Sequence, residues 1–461
     1  MEKSHEIIRD TDELPAPTQI NAEPTPISSS YSIWSQVINR YASLNGFIES
    51  PTIHNGVNII STPGAEIEIL VQDIEKAQGG GKILIGFNGA VTNRDHSESR
   101  PPYFSGKGIA SELNLPFVAI SDPSLLLDKT LPLGWYAGSA KSPNLLSKIA
   151  ELIDSISKKT GCTPIIFGGS GGGFASLAMS QLLKVESVAM VWNPQTSIGE
   201  YAPVHVLHYL RSAFPELSES VHLAMTLEKS EQKTEISSIL DKSSILHSLR
   251  GVATTGKSKI LYLQNREDWH LQAHAKPFLP KENWKRLGPT SFANGENLAV
   301  HIGNWGPGHA APPKDLILKT LRDLAFSADV EQAARTLAED GNARGNNDRY
   351  LHWFNADVDD KWCPSAYCTQ DQNGLYLSID ASGLSSGLDV EYAAYLFSHD
   401  ERITTIWYQD KPDLTIPLTD KEIDKIRVFV RDIWGNVRQS EIKAPKHSIS
   451  DIEEESFPNY Y

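Results

Sequence analysis

Residues 165–174 place a serine where a short strand turns sharply into a helix. They read Ile-Ile-Phe-Gly-Gly-Ser-Gly-Gly-Gly-Phe, an apolar run, then a Gly-x-Ser-x-Gly pentapeptide around Ser170, with an amphipathic stretch after it. Such a turn strains the serine backbone and leaves no space for Cβ atoms at Gly168 and Gly172. The pattern therefore predicts that Ser170 is a nucleophile.

A glycine-rich turn between a strand and a helix can instead bind phosphate. Here the glycines are not followed by Lys-Ser or Lys-Thr, and no Gly-x-Gly-x-x-Gly register has an acidic residue about 20 positions on. A nucleophile is favoured over a phosphate-binding or purely structural loop.

A serine hydroxyl becomes a useful nucleophile when a base and an orienting acid lie beside it. In enzymes with this turn, the acid and then a histidine follow the serine along the chain. Residues 259–264 predict an apolar strand, and Asp268 lies just beyond it, with Glu267 as the alternative acid. Asp268 is the predicted acid.

His309 is the predicted base among 14 histidines. It follows a predicted strand at residues 298–302, on a glycine-flanked loop that leads into a helix. His301 lies within that strand, and His270 and His274 lie on a predicted helix after the acid, where a packed or solvated histidine is the ordinary interpretation. We therefore expect a triad in which His309 is the base.

The reaction also needs backbone donors for an oxyanion, and the amide after the serine, Gly171, is one. A predicted strand at residues 82–87 ends in Asn88-Gly89-Ala90. This segment, taken with the serine turn, resembles the α/β-hydrolase superfamily, with Asn88 where a histidine is usual. The resemblance implies Ala90 as the second donor. The neighbouring amides remain alternatives: Gly89 and Val91.

The resemblance covers about residues 57–325 and implies an α/β-hydrolase fold, a mostly parallel sheet flanked by helices. Strand patterns alternate with amphipathic helical patterns over this range, as such a sheet requires. We expect the α/β-hydrolase domain at residues 31–335. Residues 197–250 predict a helical insertion, which in the superfamily often caps the active site; the alternative is a helical decoration away from the site.

Composition narrows the function classes. The chain has 461 residues and a formal net charge of −15, so nucleic acid and anionic membranes would repel it. Neither a transmembrane segment nor a signal peptide is indicated, and Cys162, Cys363 and Cys368 give no disulfide framework. Cys363 and Cys368 lack two further metal ligands. We expect a cytoplasmic protein with no metal and no cofactor.

The periodicity changes from helical to alternating after the first domain. Residues 348–443 contain short aromatic and β-branched runs between turn signals, which predicts a small immunoglobulin-like sandwich. A polar linker rich in Gly and Asn precedes it. The polar segments 1–30 and 444–461 are predicted to be disordered tails.

The predicted triad indicates acyl transfer through an acyl-serine, to water or to an alcohol. Side chains expected to face the substrate are Asn88, Trp135, Tyr136 and Trp269. The serine turn, a Trp-Asn-Pro-Gln-Thr segment, Gln264-Asn265 and the added sandwich are together similar to hydrolase-like proteins of bacterial surface-polysaccharide biosynthesis. That likeness implies a small-molecule or glycan ester substrate. Two alternatives stay open: a binding or scaffolding protein on an inactive hydrolase fold, and a peptidase or thioesterase with the same triad.

Overall fold

The chain divides into two compact units, Met1–Asn347 and Asp348–Tyr461. The computed structural model describes residues 24–77, 79–92, 94, 100–250, 257–280, 284–288, 290–326, 329–339, 363–371, 374–381, 390–417, 420–432 and 437–445. The expected Gly- and Asn-rich linker and most of both expected tails lie outside these ranges.

An 11-stranded sheet runs through the first unit in the order β1-β2-β3-β5-β4-β6-β7-β8-β11-β10-β9. Its strands are β1 (Ile38–Tyr41), β2 (Gly56–Thr62), β3 (Ala65–Gln72), β4 (Lys82–Phe87), β5 (Phe117–Ile120), β6 (Thr163–Gly169), β7 (Ser187–Trp192), β8 (Ser258–Asn265), β9 (Trp284–Gly288), β10 (Ser291–Asn294) and β11 (Leu298–Gly303). The central strands β5, β4, β6, β7, β8 and β11 pair in parallel. Their carboxyl ends therefore meet at one edge, where sites form in such sheets.

Ten helices connect or flank these strands in the described part of the chain. They are α1 (Leu44–Glu49), α2 (Lys107–Leu113), α3 (Leu145–Thr160), α4 (Ser170–Leu182), α5 (Pro203–Ala213), α6 (Ser218–Thr226), α7 (Lys229–Lys242), α8 (Lys276–Phe278), α9 (Lys314–Phe326) and α10 (Val330–Glu339). The central strands carry continuous apolar runs because helices cover the sheet; Ile83, Leu84 and Ile85 of β4 are all fully buried. This is an α/β-hydrolase fold.

The predicted strands at residues 82–87, 259–264 and 298–302 are present as β4, β8 and β11, and the leading pair β2 and β3 forms an antiparallel hairpin. Strand β1 and the antiparallel pair β9 and β10 were not indicated by the sequence pattern. They are short and lie at the two ends of the sheet. Such strands are held by pairing with a neighbour, so their own periodicity is weak.

The insertion expected at residues 197–250 is helical and comprises α5, α6 and α7. Its two ends meet, because Ser197 and Ser248 form a β-bridge and Leu249 N–H donates to the Thr196 carbonyl at 2.8 Å. Its own buried side chains are large and apolar: Tyr209, Leu210, Phe214, Ile236, Ile239 and Leu240.

The described part of the amino-terminal segment lies against the first unit. Ile27 N–H donates to the Leu126 carbonyl at 3.2 Å, and Ser30 N–H donates to the Pro101 carbonyl at 2.6 Å. Residues 24–30 are therefore held by backbone hydrogen bonds, unlike the free tail that their polar, proline-containing sequence suggested.

The second unit contains two antiparallel sheets, β12-β13-β16 and β15-β14-β17-β18. Their strands are β12 (Ser365–Gln370), β13 (Leu375–Asp380), β14 (Val390–Ser398), β15 (Glu401–Gln409), β16 (Asp413–Ile416), β17 (Lys425–Asp432) and β18 (Val437–Lys443). Buried side chains from both sheets, among them Leu377 and Val428, form one core, so the unit is a β-sandwich.

Across the described residues, no helix has both the length and the apolar composition to cross a bilayer.

Candidate active site

Ser170 begins α4 immediately after β6, at the carboxyl edge of the sheet. Its φ is +52°, in the left-handed region that a residue with a side chain rarely occupies. A Cβ at Gly168 would lie 2.6 Å from the Gly172 carbonyl oxygen, and one at Gly172 would lie 2.6 Å from the Phe87 carbonyl oxygen. Glycine at both positions lets the turn pack against β4 and holds the strained serine in place.

Gln195, which follows β7, holds the serine hydroxyl. Its Nε2 donates to Ser170 Oγ at 3.1 Å, and its backbone N–H donates to the Ser170 carbonyl at 3.1 Å. Trp135 Nε1 donates to Gln195 Oε1. Because an indole N–H can only donate, this bond orients the amide so that its N–H groups face the serine. Gln195 was not among the predicted site residues; its signal in the sequence was its place in the Trp-Asn-Pro-Gln-Thr segment, just beyond β7.

Asp268 and His309 lie together because β8 and β11 are parallel neighbours and each residue follows one of these strands. His309 Nδ1 lies 2.6 Å from Asp268 Oδ2. Glu267, the alternative acid, pairs instead with Arg266 at 2.7 Å, and 46% of its side chain is exposed. The structure therefore places Asp268, and not Glu267, at His309.

Two asparagines position the loop that carries His309. Asn265 Nδ2 donates to the carbonyl oxygens of Gly306 and Gly308, both at 2.8 Å. Asn193 Nδ2 donates to the Ala310 carbonyl at 2.8 Å, and Asn193 Oδ1 accepts from Asn265 N–H at 2.7 Å. The histidine loop is thus tied to the ends of β7 and β8.

Ser170 and His309 line one cavity of about 260 Å³. With Nδ1 bonded to Asp268, His309 has Nε2 left to accept a proton from a hydroxyl. Within the described residues, the hydrogen bond to Ser170 Oγ comes from Gln195, and none joins it to His309. The remaining lining residues are mostly apolar or small: Phe87, Gly89, Ser105, Gly106, Ile109, Phe167, Gly169, Trp192, Asn193 and Ala311.

Asp268 also binds a second histidine, His270, for which the sequence predicts an ordinary packed or solvated side chain. His270 Nδ1 lies 2.8 Å from Asp268 Oδ1, and His270 N–H donates to the same oxygen at 2.9 Å. Burial alone would raise the pKa of Asp268, but the hydrogen bonds from His270 and His309 outweigh it and hold that pKa well below its ordinary value. Burial lowers the pKa of His270 to about 4, so His270 is neutral at pH 7.

Asp268, His270 and His309 offer ligand atoms that lie within 4.8 Å of one another. A carboxylate with imidazoles is a donor set found at metal sites. Here the two Nδ1 atoms lie 2.8 and 2.6 Å from the Asp268 oxygens, the distances of N–H···O hydrogen bonds. One proton on each Nδ1 atom accounts for these two distances, as in a Ser-His-Asp triad.

Gly171 is the second residue of α4, so its N–H belongs to the first helical turn, where amides have no acceptor within the helix. Gly89 lies against the serine, since a Cβ built on it would be 3.8 Å from Ser170 Cβ. Both amides are therefore placed near the reacting group.

The amides on either side of Gly89 and Ala90 already have acceptors. Val91 N–H donates to the Pro132 carbonyl at 2.8 Å, and Asn88 N–H donates to Tyr136 Oη at 2.9 Å. The Val91 amide was one of the three candidates for the second oxyanion donor, and its hydrogen bond to Pro132 excludes it. Gly89 and Ala90 remain as candidates for the second oxyanion donor.

Trp135 and Tyr136, expected at the substrate, are buried, with 0% and 1% exposure, and neither lines the cavity that holds Ser170. Both residues have positive φ, 55° and 57°. Tyr136 Oη contacts Asn88 Oδ1, and Asn88 Nδ2 donates to the Gly89 carbonyl at 2.9 Å. Trp135 and Tyr136 thus support Gln195 and the loop after β4, while Asn88 shapes that loop.

Trp269 is half-buried and lies beside the histidines rather than in the cavity lining. Its ring stacks on Tyr201 with 5.9 Å between centroids and contacts His270 at 4.1 Å. Tyr201 belongs to the helical insertion, so this stack joins the insertion to the segment that carries the acid.

No family model and no curated protein matches this chain. Solved structures that it resembles include N-acyl homoserine lactonase AidH, at 14% identity and TM-score 0.30, over 60% of this chain and 99% of that one. Acetyl xylan esterase 1 from Thermoanaerobacterium sp. JW/SL YS485 matches at 13% identity and TM-score 0.35, over 66% of this chain and 97% of that one. Prolyl oligopeptidase B from Galerina marginata matches at 14% identity and TM-score 0.35, over 59% of this chain. The match spans 35% of that peptidase.

Proposed function

We propose that this protein is a serine hydrolase or acyltransferase that acts on an ester through an acyl-serine intermediate. The observation that carries the proposal is the Asp268–His309 pair, 2.6 Å apart, at the cavity that also holds Ser170 with its positive φ. An oriented imidazole and a serine on a strained turn are the parts that nucleophilic acyl transfer requires.

In the proposed reaction Ser170 Oγ bonds to the acyl carbon while its proton passes to His309 Nε2. Asp268 keeps Nδ1 protonated and stabilises the imidazolium. The oxyanion is held by Gly171 N–H and by Gly89 or Ala90 N–H. The bond to the leaving alcohol then breaks as that oxygen takes the proton from His309. Water, or an acceptor alcohol, releases the acyl group by the reverse proton transfers.

We further propose a short acyl group carried on a small molecule or a glycan. The cavity of about 260 Å³ is smaller than the ~300–1,000 Å³ that bury a drug-sized ligand. Ile109, Phe167 and Trp192 supply apolar walls for an alkyl chain. The glycan portion rests on the similarity to hydrolase-like proteins of polysaccharide biosynthesis.

Labelling with a fluorophosphonate probe tests the catalytic proposal. The wild-type protein should be labelled on Ser170, and Ser170→Ala should abolish labelling. Ser105→Ala is the matched control, because Ser105 lines the same cavity without a base in the proposed mechanism, and it should label like wild type. A wild-type protein that is folded but unlabelled would favour a binding protein on a hydrolase fold, and labelling that survives in Ser170→Ala would refute the assignment.

The acyl proposal is tested with p-nitrophenyl esters of increasing chain length. We expect kcat/KM to be highest for short acyl groups and to fall once the chain outgrows the cavity. A preference for long acyl chains would refute the short-acyl proposal while leaving the serine mechanism intact.

A further inference from the structure

We propose that His270 is a positioning residue for the Asp268–His309 pair, holding one carboxylate oxygen so that the other points at His309. This inference rests on the proposed function. His270 would touch neither the substrate nor the serine, and would act entirely through the carboxylate and through the ring of His309.

The first support is how the Asp268 carboxylate is shared. Its side chain is fully buried, and both hydrogen bonds from His270, at 2.8 and 2.9 Å, go to Oδ1. Oδ2 is left for His309 at 2.6 Å. A carboxylate held by one bond can rotate about its Cβ–Cγ axis, whereas two donors on one oxygen fix its plane. Such bonds to an ionised, buried group are among the stronger hydrogen bonds in proteins.

The second support is the contact between the imidazoles. The rings of His270 and His309 stack, with centroids 4.1 Å apart and 25° between their planes. His270 is fully buried, whereas 21% of the His309 side chain is exposed. His270 therefore backs the ring of His309 and limits its rotation away from the Nδ1–Oδ2 line.

The segment after Asp268 fixes His270 itself. Leu271–Ala275 forms a π-helical turn, a rare element often found at functional sites. His274 lies in this turn, 4.8 Å from His270, and its Nδ1 accepts from Thr196 N–H at 3.3 Å. Thr196 follows Gln195, which binds the serine. The histidine pair is thereby connected to the loop on the other side of the site.

The groups around His270 allow it to stay neutral while His309 takes the proton. The titratable or charged groups that face it or its partners are Asp268, His274, His309, Tyr201, Tyr262 and Arg250. Asp268 is the one carboxylate in this set. A proton on both imidazoles would place two cations in stacking contact, which burial of His270 opposes.

Two substitutions at His270 separate the hydrogen bond from the bulk of the ring. His270→Asn retains an N–H donor near the Nδ1 position, and His270→Phe retains a ring without a donor. We expect His270→Asn to keep kcat/KM for p-nitrophenyl acetate close to wild type. His270→Phe should lower kcat/KM by about 10²-fold, the effect of a small displacement of a catalytic group.

The pH profile gives a readout that a purely structural role would not move. Without the His270 ring donor, Oδ2 is no longer held towards His309, so the His309 imidazolium is less stabilised and the acidic limb of kcat/KM should shift to lower pH in His270→Phe. The expected shift is roughly 0.7 pH units, the equivalent of about one hydrogen bond. His301→Asn is the control: His301 is fully buried on β11 and bonds Ser291 at 2.8 Å, away from Asp268, and its removal should leave the profile unchanged.

The ¹H resonance of His309 Nδ1–H in the Ser170→Ala background tests the inference without turnover, because its chemical shift reports on the hydrogen bond to Asp268. We expect this resonance to move upfield in folded His270→Phe and to stay in place in His270→Asn. If folded His270→Phe keeps the wild-type resonance and kcat/KM, the inference is overturned. If instead wild-type protein neither labels nor hydrolyses esters, the proposed function fails, and the Nδ1–H resonance still reports on His270.

Discussion

Burial of His270 and His274 should make the protein lose stability as the pH falls below about 7. The pKa of His270 drops from its ordinary value of 6.5 to about 4 in the folded state, and burial lowers that of His274 as well. Between pH 6.5 and about pH 4, His270 of the unfolded chain binds a proton that His270 of the folded protein does not bind. Free energy of unfolding therefore rises with pH over this window and falls on acidification.

For His270 alone, the loss in unfolding free energy between pH 7.5 and pH 5 is about 2 kcal/mol, from pKa values of 6.5 and about 4. Asp268 adds little to this loss between pH 7.5 and pH 5. Its pKa is depressed in the folded state, so the stability that it contributes is lost only as the pH falls below 3.8, the ordinary pKa of an aspartate. Asp122 and Glu68 act in the opposite direction, because burial raises their pKa values. Because these carboxyl groups titrate in wild type and variant alike, their effect cancels when a His270 variant is compared with wild type at each pH.

Urea denaturation followed by tryptophan fluorescence at pH 7.5 and pH 5 measures the effect. His270→Asn has no imidazole to titrate, so its unfolding free energy should fall by about 2 kcal/mol less than that of wild type. His54→Asn, at an exposed histidine, should follow wild type. Equal acid losses in wild type and His270→Asn would show that His270 titrates normally when folded, and would refute the reasoning.

Three further predictions concern the triad, the serine turn and metal dependence. Asp268→Asn should lower kcat by about 10⁴-fold and Glu267→Gln should change it little; equal effects in ester hydrolysis would reverse that assignment. Gly172→Ala brings a Cβ to 2.6 Å from the Phe87 carbonyl oxygen and should cost about 1–3 kcal/mol in denaturation measurements. Esterase activity should persist in EDTA, and a loss that zinc restores would contradict the triad mechanism.

Sequence patterns were sufficient to predict those features that residues adjacent in the chain form among themselves. Ser170 and the glycines around it form their turn from adjacent residues, so the pentapeptide between a strand and a helix was readable directly. The central strands were readable for a similar reason, since burial on both faces imposes continuous apolar runs. The short strands β1, β9 and β10, near the two ends of the sheet, carry no such run, and pairing with neighbours determines them.

The α/β-hydrolase fold, and the order in which Ser170, Asp268 and His309 follow their strands, could be predicted from residue patterns along the chain. The side chains that support these three residues could not, because they come from distant segments. Trp135 and Gln195 are 60 positions apart, and Asn88 and Tyr136 are 48 apart, yet each pair shares a buried hydrogen bond. Trp135 and Tyr136, which were expected at the substrate, are buried and bond Gln195 and Asn88 instead. His270 is likewise buried and bonds Asp268. A buried polar atom needs a hydrogen-bond partner, and the packing of distant segments determines which partner is within reach.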